Sequence, residues 1–391
     1  MRGIIKVKKQ ELATMAIAVL LFHLSIVKIN EAYFRNYPRM QLGIVIVLTA
    51  YLLLHLRCLF LKKNILFNIV VLMFGMGMFI TIYRNMRVFP NSFRSGMLTI
   101  FQYMMVLLVM ECLHESGNIV AVVKTFYYCA LFYCVLADFH AVLTGAKYIG
   151  VIGTYLVGNK FSIAYLHIYT LCFFYFLWQR KGRSYLLLIA HYAVAVLICI
   201  YSQCTTGLLG CAILLIAHVV RPLGAKLIKK VPVAYGLLLL ATFVLLIFSE
   251  IVKWKPIRFV IEEVLNEDIT LTGRMGGFVN IHRPLLLDPI WGVSPLNNYI
   301  ISRRYVGMDD LQNGMADMML SYGLVGVSLL LILIALCMRK GNVKQGYGFY
   351  AMMYMFIALA AVEVTLNLKF VVVLSLVAFA WDKKEENRLI R

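Results

Sequence analysis

Charged side chains are scarce in this sequence: 14% of its 391 residues are Asp, Glu, Lys or Arg, against about 25% in soluble domains. Hydrophobic residues make up 62%, and the mean hydropathy is +0.84. A water-facing surface for a chain of this length cannot be built from so few charges. A soluble globular enzyme is excluded, and a polytopic membrane protein is expected. Acids are scarcer still, 18 Asp+Glu against 38 Lys+Arg. The nine cysteines (58, 112, 129, 134, 172, 199, 204, 211 and 337) include no CxxC pair and none in the one long polar stretch. They read as small packing residues and support neither a disulfide framework nor a metal site. The eight histidines lack zinc-ligand spacing too.

What is abundant is apolar sequence in runs of membrane-spanning size, about 17–25 residues each. Twelve windows can be placed: Leu12–Ile29, Met40–His55, Ile65–Tyr83, Gly96–Cys112, Ile119–Asp138, Phe161–Trp178, Ser184–Tyr201, Cys204–Val220, Val231–Phe248, Asp317–Met338, Tyr347–Val362 and Leu366–Trp381. The expected fold is all-α, with about twelve transmembrane helices in a single membrane domain. The net charge of +20 would suit nucleic acid if it formed one patch. It lies instead in short clusters between the windows, such as Arg2/Lys6/Lys8/Lys9, Arg180/Lys181/Arg183 and Arg221/Lys226/Lys229/Lys230. With the N-terminus cytoplasmic, most of the excess falls on the inner side, as the positive-inside rule requires. Nucleic-acid binding is therefore not implied. An even number of spans puts both termini in the cytoplasm. The basic arm before the first window lacks a small-residue cleavage site and reads as a retained anchor.

One stretch breaks the pattern. Ile251–Met315, 65 residues between windows nine and ten, is polar and loop-like, and is expected outside the membrane as the place for an aqueous-facing site. Pro256 can start a helix in which Ile257, Val260, Ile261, Val264 and Leu265 form an apolar stripe suited to lying on the membrane surface. Thr272 can cap a short helix running toward Arg283. Beyond it, Pro284, Asp288-Pro289, Gly292 and Pro295 break the chain into turns. The glycines at 273, 276 and 277 are no nucleotide loop, because strand-loop-helix context is missing.

Arginine is the informative residue type on the outer side. The positive-inside rule depletes it there, and its planar fork matches phosphate oxygens. Arg84, Arg87, Arg94, Arg274 and Arg283 are the candidates for an anionic ligand, against the plainer reading that each pairs with lipid headgroups or outer acids. Arg84 and Arg87 share a face if the third helix continues past Tyr83. Ionisable groups at the rim of spans are costly and face cavities or the bundle interior: here Asp138, His140, His167, Asp317 and Glu363, with Gln203, Thr205 and Thr206 nearby. His23, His191 and His218 read as packing histidines. For Asp317 the plain alternative is a helix cap.

Three fragments resemble one family. Thr272-Gly273-Arg274, Asp288-Pro289-Ile290-Trp291-Gly292, and Gln312-Asn313 followed by Gly323-Leu324-Val325-Gly326 are similar to the motifs of Wzy-type O-antigen and capsular polysaccharide polymerases and the related O-antigen ligases. The motifs cover Thr272 to Gly326, and the hydropathy layout extends the likeness over the chain. Asn159 after Gly158, and Thr205-Thr206-Gly207, resemble weaker family signatures. Two departures stand out. Gln312 occupies the position where ligases carry His, and the Ser-Arg often found before the eighth apolar run is missing.

The resemblance implies a multi-pass protein of the bacterial plasma membrane that transfers glycan from undecaprenyl pyrophosphate to a hydroxyl of another lipid-linked repeat unit on the outer face. No metal and no cofactor are implied. Arg274, Arg283, Arg84, Arg87 and Arg94 would hold the pyrophosphate, and His282, Asp317 or Glu363 would be the base. Gln312, Asn313 and Asn159 would position substrate. The implied partners are the lipid-linked oligosaccharide, membrane lipid, and flippase and chain-length regulator proteins. Because an amide cannot take up a proton, a base role does not carry over to Gln312; polymerases are looser at this position, so the departure favours a polymerase over a ligase. The competing classes are a lipid-linked oligosaccharide flippase or transporter, and a non-catalytic assembly partner. Transporters of that kind usually show two similar halves with short outer loops, unlike this chain.

Overall fold

The structure, a computed structural model, describes residues 2–86, 92–145, 155–181, 184–251, 254–259, 262–263, 280–295 and 297–381. Among these residues the fold is all-helical, with one isolated bridge between Tyr155 and Gly158. The helices are α1 (Arg2–Ser25), α2 (Tyr37–Leu54), α3 (Leu56–Leu59), α4 (Ile65–Asn85), α5 (Ser92–Glu115), α6 (Ile119–Thr144), α7 (Lys160–Lys181), α8 (Tyr185–Tyr201), α9 (Thr205–Val219), α10 (Arg221–Gly224), α11 (Val231–Ile251), α12 (Lys255–Phe259), α13 (His282–Leu285), α14 (Asn297–Tyr305), α15 (Gly314–Lys340), α16 (Val343–Leu359) and α17 (Leu368–Phe379). Each of the twelve apolar windows overlaps one of them, though several windows run past the helix ends. Six described helices are long and apolar enough to cross a membrane: α2, α4, α5, α6, α7 and α15.

Proline placement explains why the runs stay helical. Pro38 and Pro222 sit in the first turns of α2 and α10, where the missing N–H costs nothing. Pro232 is the second residue of α11, and no proline falls inside a long helix.

The centre of the bundle is α17, in which every residue from Phe370 to Phe379 is buried, flanked by α5, α15 and α16. The periphery is the reverse of a soluble protein. Leu54 is 82% exposed, and Leu186, Val219 and Leu239 are 72% exposed each. Apolar surface on this scale has no stable neighbour in water, and with the six long apolar helices it marks a membrane-embedded protein. All nine thiols are free.

Contacts between chain-distant residues define two ends of the bundle. At one, Asn30 N–H donates to Leu156 O (2.9 Å), Lys160 Nζ to Gln203 O (3.1 Å) and Thr81 Oγ1 to Trp291 O (2.6 Å). At the other, Lys340 Nζ lies 3.0 Å from Glu111 and donates to Asn64 at 2.8 Å, while Arg180 donates to Gln345 at 2.6 Å.

The long polar stretch packs on the first end with a small core of its own. Ile281, Val293, Ile301 and Leu311 are buried against Ala316 and Leu320 of α15, with Ile257 packed beside them. Of the expected surface helix, the turn Lys255–Phe259 is described. Its remaining apolar positions 260, 261, 264 and 265 lie outside the described residues, as do Thr272, Gly273 and Arg274.

Candidate functional site

The two fragments around Asp288 and Gly323 meet on the backbone. Leu324 N–H donates to Pro289 O (2.9 Å) and Val325 N–H to Ile290 O (3.1 Å), while Val293 and Ser294 N–H donate to Leu320 O (2.8 Å) and Ser321 O (3.1 Å). Helix α15 is interrupted at Gly323 (φ 62°) to make room. Gly292 has φ 77°, and a Cβ on it would stand 2.6 Å from Gly323 N; a Cβ on Gly323 would stand 2.2 Å from Ile290 O. Both positions therefore require glycine, for left-handed backbone and for close approach together. Asp288 fixes the turn by accepting from Trp291 N–H (3.1 Å), and its other oxygen meets Arg84 Nη2 at 3.3 Å. Thr81 and Asn85 of α4 bond Trp291 O and Gly292 O at 2.6 and 3.2 Å.

The start of α15 gathers carboxylates. Its cap is Asn313, whose Oδ1 accepts from Met315 and Ala316 N–H at 3.1 and 3.0 Å. Its Nδ2 donates to Ala241 O and Ala361 O, both at 3.3 Å. Asn313 is wholly buried and its amide is committed to backbone at both ends, so its part here is structural. Asp317 is consequently no cap: it is buried, and its Oδ1 accepts from Asn298 Nδ2 at 2.9 Å. Gln312, at φ 52°, turns its side chain onto Asp310 Oδ1, which also accepts its backbone N–H at 2.9 Å. Gly314 N–H donates to Ala360 O (2.8 Å), which brings the segment carrying buried Glu363 beside these groups. Desolvation, and then the Asp317, Asp310, Asp309 and Glu363 carboxylates, push the Tyr299 phenol up to about 12.

His282 and Arg283 lie apart from these acids. Both are exposed on the single turn of α13. His282 borders a cavity of about 310 Å³ whose other lining residues are Thr242, Ile281, Leu285, Met315, Ala316, Met319 and Val327. Met315 and Met319 are each about 200° around the helix from Asp317. The apolar cavity and Asp317 therefore occupy opposite sides of α15.

The remaining candidates separate. Helix α4 closes at Asn85; Arg84 is engaged with Asp288, and Arg87 lies outside the described residues with Arg274. Arg94 is exposed in the first turn of α5. Asn159 Oδ1 accepts from Ser162 N–H and Oγ, both at 3.0 Å, opening α7 as a cap. Gly207 is where α9 touches its neighbours, since a Cβ there would meet Cys199 Sγ at 2.7 Å and Ala164 Cβ at 2.9 Å. His167 bonds Asp138 at 3.0 Å. His23 meets Tyr133 Oη at 2.8 Å, and His191 and His218 stack on Phe174 and Tyr175 with ring centres 4.1 and 3.7 Å apart.

Three residues at this end carry no signal strong enough to find them from sequence: Asn298, Tyr299 and Asp310. Asn298 and Tyr299 lie on a short polar helix without an apolar stripe. No protein-family model, curated protein or solved structure matches this chain.

Proposed function

We propose that this chain is a membrane glycosyltransferase, a polysaccharide polymerase with twelve spans, both termini cytoplasmic and the 251–315 stretch outside. It would move a glycan from undecaprenyl pyrophosphate to a hydroxyl of a second lipid-linked repeat unit. The observation that carries this reading is the apolar cavity bordered by His282, with Arg283 next in sequence and a separate carboxylate group across α15. An isoprenoid tail needs an apolar groove, its pyrophosphate needs a cation nearby, and sugar hydroxyls need hydrogen-bonding acceptors; this end of the bundle offers the cavity beside His282, exposed Arg283, and the acids across α15.

In the reaction, the acceptor oxygen attacks the anomeric carbon of the donor glycan as the bond from that carbon to the pyrophosphate oxygen breaks. The hydroxyl proton passes to a base, and lipid pyrophosphate leaves with both bonding electrons. Arg283 supplies positive charge to that leaving group, together with Arg274 from the neighbouring motif. Of the three candidate bases, His282 is favoured because it lines the cavity and Arg283 follows it in sequence. Asp317 and Glu363 are assigned to holding sugar, with Gln312 orienting the Asp310 turn beside them. The likeness to polymerase motifs supports the same assignment, and Gln312 counts against a ligase.

The test is Arg283→Ala and His282→Ala in cells that make the polymer. Each is expected to lower polymer about a hundredfold or more while the protein still inserts at its normal level. Full polymer from both variants would remove this cavity from the reaction.

A further inference from the structure

A second cavity belongs to the opposite end of the bundle from His282. It measures about 500 Å³ and lies between the α9–α10 turn and the start of α16, lined by Arg221, Pro222, Ala225, Val343, Lys344 and Tyr347. Its charged lining is wholly cationic. Among the described residues no carboxylate pairs with Arg221 or Lys344, although the same end pairs Lys340 with Glu111 and Lys63 with Glu115. We propose that this cavity binds the phosphate of an anionic phospholipid in the leaflet at this end, which the charge balance of the sequence expects on the cytoplasmic side.

The site is built rather than fortuitous. With the Gln179 amide oxygen turned toward it, Arg221 donates through Nη1 and Nη2 at 2.8 and 3.2 Å, and Tyr175 Oη donates to the same oxygen at 3.1 Å. Arg221 Cζ stands 5.6 Å from the Tyr347 ring centre, and Tyr347 Oη is itself fixed by donation to Ala217 O at 2.6 Å. The guanidinium is thus held over the cavity with no counter-ion among the described residues, while exposed Lys344 reaches it from the facing helix. An arginine held in place and a lysine at the rim suit one phosphodiester.

The choice of lipid over a free phosphate rests on the walls. Pro222, Ala225 and Val343 are apolar, and the last turns of α9, the helix that runs up to the cavity, expose Leu215, Ile216 and Val219. An acyl chain can lie against exposed apolar side chains of this kind beside the cavity while its headgroup occupies the basic cavity. Basic pockets between helices at the cytoplasmic membrane level take anionic headgroups in this way.

The experiment uses purified full-length protein in neutral detergent, with retained lipid counted by native mass spectrometry against phosphatidylglycerol and phosphatidylcholine. One phosphatidylglycerol is expected to stay bound per chain, in preference to phosphatidylcholine. Lys344→Gln should weaken retention about fivefold, and Arg221→Gln with Lys344→Gln about 25-fold, at roughly 1 kcal/mol per basic residue. Lys230→Gln, an exposed lysine at the same end outside the cavity, should leave retention unchanged. Because Arg221 also bonds Gln179, the Lys344→Gln result stands as a second readout that does not depend on that bond. Equal retention of phosphatidylcholine, no loss in Lys344→Gln, or an equal loss in Lys230→Gln would overturn the proposal. Displacement of the lipid by inorganic phosphate at equal concentration would also overturn it, and would make the cavity a free-phosphate site.

Discussion

The two ends of the bundle handle charge in opposite ways. At the end carrying Lys340, two buried or half-buried cations hold helices together: Lys340 bridges Glu111 and Asn64 while lying 5.0 Å from the Phe67 ring centre, and Arg180 lies 4.0 Å over Phe176 as it bonds Gln345; Arg221 and Lys344 at the same end instead line a cavity. At the end carrying α13 and α14, acids are gathered and the described arginines stay exposed. Asp317 and Glu363 are buried, while Arg94 and Arg283 face outward. An ionic group fully engaged by protein stabilises or orients the fold. One left with spare hydrogen-bonding capacity at the rim of a cavity is available to a ligand.

Three substitutions break or sharpen that contrast. Lys340→Met strands wholly buried Glu111 without its cation, and should cost about 3–5 kcal/mol of stability, with Glu111→Gln in the same chain restoring much of it. Thermal melting in detergent reads both; equal melting of Lys340→Met and wild type would mean the pair contributes nothing. Gly323→Ala comes next, at about 3 kcal/mol, because left-handed backbone without glycine is joined by a collision with Ile290 O. Gly236→Ala has open space around its Cβ and is the matched control. If the two alanine variants melt together, the interlocked motifs do not hold the polar stretch in place. Smallest is Arg84→Gln. Its pair with Asp288 is half exposed, so the loss should be under about 1 kcal/mol; a loss as large as that of Lys340→Met would erase the distinction between the ends.

The membrane fold was legible because long apolar runs without internal proline leave little alternative to helices. The polar stretch was less legible. Helix α14 has no apolar stripe and owes its place to Ile301 packing under Leu311 and Leu320, a contact between separate segments. The cap at Asn313 does have a local signal, an asparagine directly before Gly314-Met315-Ala316, but the motif likeness drew it toward substrate instead. Arg84 was readable as an arginine at the end of an apolar run, whereas its partner Asp288, 204 residues away in sequence, could not be found from spacing. The opposite sides of α15 taken by Asp317 and by the cavity at His282 could be read from helical period only once the facing segments were known.

Glycan transfer at the cavity beside His282, with Arg283 next in sequence, is what the proposed function requires. The direct measurement is turnover of a lipid-linked repeat unit by purified protein in vesicles, followed as growth of polymer and release of undecaprenyl pyrophosphate. Wild type should release one lipid pyrophosphate for each unit added, and Arg283→Ala should lose about a hundredfold of that rate at unchanged melting temperature. Intact substrate carried across the vesicle membrane with no pyrophosphate released would contradict the claim and make the protein a transporter.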